Sequence, residues 1–172
     1  MPTAWLAYEY ANEPLDTKDQ RNYVTNSDGS VRLRNVSLRA SSMVALVQDS
    51  VTEYYLHDNA ASMEGTYANL EYGYFKKYTH HDLHASEQDV AADFFRSSKD
   101  VVLNRLSDVY LMYAECLVQG GLGGIVQEAL NFINEVRRRW GLQLLGTTSQ
   151  YDADLDGLTY TGRMVMDHLM LI

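Results

Sequence analysis

Asn104-Arg105-Leu106-Ser107-Asp108-Val109-Tyr110-Leu111-Met112-Tyr113-Ala114-Glu115-Cys116 and, after a glycine-bearing gap, Ala129-Leu130-Asn131-Phe132-Ile133-Asn134-Glu135-Val136-Arg137-Arg138-Arg139-Trp140-Gly141-Leu142 decide the fold. In the first stretch, continued to Gln119, Leu106, Val109, Tyr110, Tyr113, Cys116 and Leu117 recur at helical spacing and predict one buried face. In the second, Val126, Ala129, Leu130, Ile133, Val136 and Trp140 form the inner face of a helix over 126–140. Gly120-Gly121 end the first helix. Arg137-Arg138-Arg139 suit the negative C-terminal end of the second, and Gly141 is the expected left-handed residue just beyond it. The short gap predicts an antiparallel helical hairpin.

Downstream, residues 144–160 read as a loop carrying Asp152, Asp154 and Asp156, and a last helix is expected from about Thr161 to Ile172. The apolar run Val165, Met166, Leu169, Met170, Leu171 and Ile172 brings the expectation that the sequence is a piece of a longer protein. Upstream the composition changes near residue 100. Residues 1–80 are rich in Tyr, Val, Thr and Ser and read as short strands and loops. Trp5-Leu6-Ala7-Tyr8-Glu9-Tyr10 is read as a short strand ended by Asn12-Glu13-Pro14. Asp28-Gly29 is a hairpin turn between 22–25 and 31–34. Val44, Leu46 and Gln48 share one face of a further strand, and Gly73–Thr79 is another candidate. Ser86 is placed as the N-cap of a short helix over 86–96. The expected organisation is a loop and short-strand region over 1–100, a helical hairpin over 101–142, and a loop with a final helix over 143–172.

The chain has 172 residues, 46% of them hydrophobic and 22% charged, values of an ordinary folded protein with room for one core. Its formal net charge of -9 works against phosphate backbones and anionic lipid, so neither nucleic acid nor a bare membrane surface is an expected partner. No apolar run reaches the ~20 residues needed to cross a bilayer. The segment Met1-Pro2-Thr3-Ala4-Trp5 has no signal-peptide pattern, which taken alone points to the cytoplasm. The lone Cys116 excludes an internal disulfide and is expected to be a small buried apolar residue. Tyrosine is over-represented, 13 against 4 Phe and 2 Trp, and a flat ring with a hydroxyl suits half-buried strand positions as well as sugar stacking.

The two helical stretches resemble the paired motifs "LRYADVLLMYAEA" and "ALELINKVRRRAGL" of the SusD/RagB family. Gly73-Tyr74-Phe75-Lys76-Lys77-Tyr78 resembles its "GYYVRKF" strand, and 5–12 resembles "EVIFAIQYAND". Cys116 stands where the family has a small Ala, and Ser107 where an aromatic is common. The family's "ERRxELAFEG" continuation, signal peptide, lipidated cysteine and N-terminal tetratricopeptide-like helices are not in the sequence. The resemblance implies a mainly α fold built from tetratricopeptide-like helical hairpins in an α-α superhelix, with short strands and long loops in the first half. It implies a surface lipoprotein of the outer membrane, held there by a lipid anchor lying outside this chain. Such a protein partners a SusC-like TonB-dependent transporter and hands it glycans or other nutrients, without catalytic residues or cofactor. Those expectations replace the cytoplasmic reading. The helical motif residues are scaffold in the family. Trp5, Tyr8, Tyr10, Tyr54 and Tyr55 are the candidates for ligand contact. The competing reading is a tetratricopeptide-like module that docks a protein partner, but one hairpin without a repeat supports it poorly.

Two clusters invite metal chemistry. His80-His81-Asp82-Leu83-His84 offers imidazoles and a carboxylate, but it lacks the HExxH pattern and reads as a solvated loop. Asp152-Ala153-Asp154-Leu155-Asp156-Gly157 matches the opening of a calcium loop, yet position twelve is Arg163 rather than the bidentate Glu. A plain acidic turn is expected there, and no metal site is assigned. No nucleophile triad, phosphate loop or dinucleotide fingerprint is present.

Overall fold

The structure, a computed structural model, describes residues 3–52, 74–77, 103–119 and 125–169. In chain order its helices are α1 (Ala4–Ala11), α2 (Leu38–Met43), α3 (Leu106–Gln119), α4 (Val126–Arg139) and α5 (Gly162–Leu169). The strands are β1 (Tyr23–Thr25), β2 (Val31–Leu33), β3 (Val44–Ala45) and β4 (Tyr74–Phe75), with a 3-10 turn over Gln20–Asn22. The chain is mainly helical, as expected. It divides into two units, one of 1–14 and 22–100, the other of 15–21 and 101–172.

The second unit is the helical one. α3 and α4 pack against each other. Tyr113 meets Phe132 edge-on with ring centroids 5.0 Å apart, and Leu106 lies beside Val136 and Arg139, so the two helices run antiparallel. Ala129, Leu130 and Ile133 of α4 join Ala114, Leu145, Tyr160 and Val165 in one apolar cluster. The inner face read for α4 is the face it buries. Its end is also as expected. Gly141 has φ +65°, its N–H bonds the Arg138 carbonyl at 3.1 Å, and the Leu142 N–H bonds the Arg137 carbonyl at 3.1 Å. That pair of bonds is a Schellman motif, which only a residue tolerant of positive φ closes cheaply.

For α3 the buried face differs from the expected one. Ala114 is fully buried, and Leu111, Leu117 and Val118 pack on the core. Leu106, Val109, Met112 and Tyr113 are exposed, and so is Cys116, contrary to its expected burial. The reason is that α3 is apolar over most of its circumference. Asp108, Glu115 and Gln119 fill one narrow strip, so periodicity alone admits two faces, and the small Ala114 allows α4 to approach on the other one.

The return from α4 is pinned by polar groups. Asn134 is buried, and its amide Nδ2 donates to the Leu145 carbonyl (2.9 Å) while its Oδ1 accepts from the Leu145 N–H (2.8 Å). Arg137 Nε donates to the Gln143 carbonyl at 2.7 Å. The segment 15–21 is stapled to the same loop. Leu15 bridges Leu142, the Asp16 N–H bonds the Gly141 carbonyl at 2.9 Å, and Arg21 donates to the carbonyls of Arg138 and Arg139. Arg21 thereby satisfies acceptors that the end of α4 leaves open.

In the first unit the hairpin was anticipated. β1 and β2 pair antiparallel, with Tyr23 opposite Leu33 and Thr25 opposite Val31, and Gly29 takes φ +83° in the turn. The expected strand over Trp5–Tyr10 is instead helix α1. Thr3 caps it, its Oγ1 accepting from the Leu6 N–H at 3.3 Å, and Ala4, Ala7 and Ala11 favour helix over the strand preference of the aromatics. Val44, Leu46 and Gln48 do not share a strand face. Ser37 caps the unanticipated α2, and β3 ends at Ala45. Beyond it, the Asp49 N–H bonds the Leu46 carbonyl at 2.9 Å. Of the strand expected over Gly73–Thr79, Tyr74–Phe75 form β4, paired with β3; Lys76 and Lys77 lie beyond its end, and residues 73, 78 and 79 are outside the described residues. Among the described residues of this unit, Ala7, Val36, Ala40, Val44 and Leu46 form one buried apolar cluster. Beside it, Arg39 pairs with the buried Glu13, whose other oxygen accepts from Ser37. The helix expected over 86–96 and the Gly120-Gly121 stop lie outside the described residues.

Candidate functional site

The first unit carries an open groove of ≈ 770 Å³ along α1. Ala4, Ala7, Ala11 and Leu46 supply apolar surface to it. Trp5 and Tyr8 border it, 54% and 63% exposed, three residues apart on one helix face. Asn12, one turn beyond Tyr8, adds an amide, as do Asn35 and Gln48. The Asn12 Nδ2 donates to the Tyr8 carbonyl at 2.7 Å, which leaves its Oδ1 as a free acceptor. Asn35 Oδ1 accepts from Ser50 at 3.4 Å. Gln48 makes no hydrogen bond among the described residues, so both ends of its amide are available. Rings with exposed faces, flanked by groups that both donate and accept, match a sugar, which offers C–H faces and hydroxyls together.

Of the five aromatics singled out in the sequence, the structure brings Trp5 and Tyr8 together at this groove. Tyr10 points away, two residues further round the helix, and the Arg39 guanidinium stacks 5.1 Å from its ring centroid. Burial raises the Tyr10 hydroxyl above its ordinary value, Arg39 lowering it and Glu13 raising it. Tyr54 and Tyr55 lie outside the described residues. The three amides were not singled out from the sequence. Asn12 was read only as a turn signal, and Asn35 and Gln48 reach the groove by way of the β2–α2 and β3 connections, which no local pattern reveals.

The three carboxylates of the acidic loop each have protein partners. Asp152 pairs with Lys18 at 2.7 Å. Asp154 Oδ2 accepts from the Thr17 N–H at 2.6 Å and from its hydroxyl, which holds the carboxyl below its usual range. Asp156 Oδ1 accepts from the N–H groups of Gly146 (2.9 Å) and Leu158 (3.0 Å), and its Oδ2 accepts from Tyr160. The three carboxylates thus hold three different pieces of backbone and side chain. Among the described residues no group of three His, Cys, Asp or Glu is placed to hold an ion. The cluster His80-His81-Asp82-Leu83-His84 lies outside the described residues.

Tyr160 is buried, with its single hydroxyl proton given to Asp156, so His168 Nε2, 3.1 Å away, is the one that carries the N–H toward it. Burial first, then Arg137, holds the His168 imidazole below its ordinary value, while Asp156 and Asp167 pull it up. A depression of ≈ 450 Å³ beside the end of α4 includes Arg21, Tyr110, Glu135 and Arg138. Most of its charges are spent within the protein: Arg21 on Asp19 and helix carbonyls, Arg138 on Glu135 and on the Tyr151 ring, 4.2 Å from its centroid, while Arg139 stays exposed. The α1 groove is therefore the stronger candidate for binding.

Among the described residues no helix is long and apolar enough to cross a membrane. In comparisons with known proteins, the profile of the SusD family matches residues 1–169. No significant match was found among curated proteins or solved structures.

Proposed function

The chain belongs to the SusD family, and from that premise we propose that it captures glycans or other nutrients at the outer membrane and delivers them to a SusC-like TonB-dependent transporter. The family is one of non-catalytic binding proteins that work with such transporters. The protein is accordingly a carrier rather than an enzyme, needs no cofactor, and is surface-exposed through a lipid anchor of the full-length protein. The family match over nearly the whole chain carries this reading. On it, residues 1–172 are part of a SusD-like domain in which the hairpin over 101–142 is scaffold. The groove on α1 is the ligand site, with Trp5 and Tyr8 as stacking platforms and Asn12, Asn35 and Gln48 as hydroxyl partners.

Isothermal titration of the full-length lipoprotein with a panel of oligosaccharides and peptides tests the binding role, and co-purification with the membrane fraction tests the partner. The expected result is saturable glycan binding, lowered at least tenfold by Trp5→Ala, with no products released from any glycan. Absence of binding to every glycan and peptide, or turnover of one, would remove the reading.

A further inference from the structure

The groove on α1 has a chemical character that narrows its ligand, given that it is the glycan site. None of the described residues that line it carries a charge. Its polar groups are three carboxamides, and a carboxamide offers N–H donors and a carbonyl acceptor side by side, the pairing that adjacent sugar hydroxyls present in return. A carboxylate or sulfate needs a cation or a convergent set of N–H groups once water is stripped from it. Among the described residues no cationic side chain lines the groove. Among the described arginines of the unit, Arg39 is engaged with Glu13 and the Tyr10 ring, Arg32 with Asn26 and Ser50, and Arg34 with Ser41 and Thr52. The two ring faces bordering the groove are the negative ends of aromatic quadrupoles, which attract polarised C–H groups and repel anions. The chain's net charge of -9 adds a long-range penalty of the same sign.

We infer that the α1 groove selects uncharged oligosaccharides and rejects those bearing uronate carboxylates or sulfates. Trp5 and Tyr8 cover the C–H faces of the sugar rings. Their positions, three residues apart on a helix, set the Cβ atoms about 5–6 Å from one another, which suits one extended stretch of chain rather than two separate ligands. Asn12, Asn35 and Gln48 select for hydroxyls along its edge.

The test uses the full-length protein and matched oligosaccharide pairs that differ only at C6: β-1,4-mannohexaose against β-1,4-mannuronate hexamer, and cellohexaose against β-1,4-glucuronate hexamer. In the pair that binds, the hydroxymethyl member is expected to bind at least tenfold more tightly than the carboxylate member. Its affinity should change less than twofold between low and high salt, because no ion pair is made. Trp5→Ala and Gln48→Leu should each weaken it, and Gln48→Lys should raise the affinity of the carboxylate member. Equal or tighter binding of the carboxylate members would overturn the selectivity and leave glycan capture standing. Undiminished binding in Trp5→Ala would overturn the assignment of the groove. Binding of peptides alone, with no member of either pair bound, would remove the glycan reading and the inference with it.

Discussion

The two units of this chain are stabilised by different means. The helical unit rests on apolar packing. α4 lays Ala129, Leu130 and Ile133 against α3, α5 and the return loop, and its polar buried residues, Asn134 among them, find backbone partners. Among the described residues of the first unit the apolar cluster is made mostly of small side chains, and the pair Glu13–Arg39 sits beside it, with Ser37 completing the carboxylate. α1 packs Ala7 on that cluster and keeps an open flank on its other side. The open flank is where the rings and amides of the groove stand. Among the described residues, the larger apolar cluster lies in the helical unit and the α1 groove in the other.

That contrast can be broken most directly at the ion pair. Arg39→Met leaves the Glu13 carboxylate buried and unpaired, and is expected to cost about 3–5 kcal/mol, read as faster hydrogen exchange in α1 and α2. The double variant Glu13→Leu with Arg39→Met should regain most of the loss. If the single variant is silent, the pair is not what holds α1. In the other unit, Ile133→Ala removes a fully buried side chain and should cost about 2–5 kcal/mol, seen in exchange at α4 amides, with glycan affinity per folded molecule unchanged. Trp5→Ala is the converse. Its side chain is half exposed, so stability should move by no more than about 0.5 kcal/mol, while affinity falls about tenfold, or about 1.4 kcal/mol.

Smaller effects sharpen the picture of the helical unit. His168 binds a proton less readily folded than unfolded, because burial and Arg137 disfavour the cation. Its contribution is therefore complete above the unfolded value of 6.5 and declines as pH falls below it toward the folded value. The denaturation midpoint should drop between pH 7.5 and 5.5, and His168→Gln should flatten that slope. Smallest of all, millimolar calcium should shift the melting temperature by no more than about one degree, since Asp152, Asp154 and Asp156 are each committed to protein partners.

The legibility of the sequence follows the same division. α4 was readable to within one residue of its end, because one strong face, three terminal arginines and Gly141 all point the same way. The β1–β2 hairpin was readable from Asp28-Gly29 alone. α3 was readable as a helix but not in its orientation, since a helix apolar on two sides does not say which one faces inward. α1 was misread because its aromatics favour a strand, and the deciding terms, the Thr3 cap and the alanines that let it lie close to Ala40 and Val36, are small individually. The groove was half legible. Trp5 and Tyr8 stand out in any composition, but Asn35 and Gln48 join them only through tertiary contacts.

The staple formed by residues 15–21 bears on the order in which the chain can fold. Thr17 and Asp154 are 137 residues apart, and between them lies nearly all of the first unit. On a ribosome that bond waits until the loop beyond α4 has emerged, so Thr17 stays without it while residues 22–153 are made. Contacts of such long range close late and slow the approach to the native state. The sequence that secures the helical unit is thus the first of its parts to be made and among the last to be used.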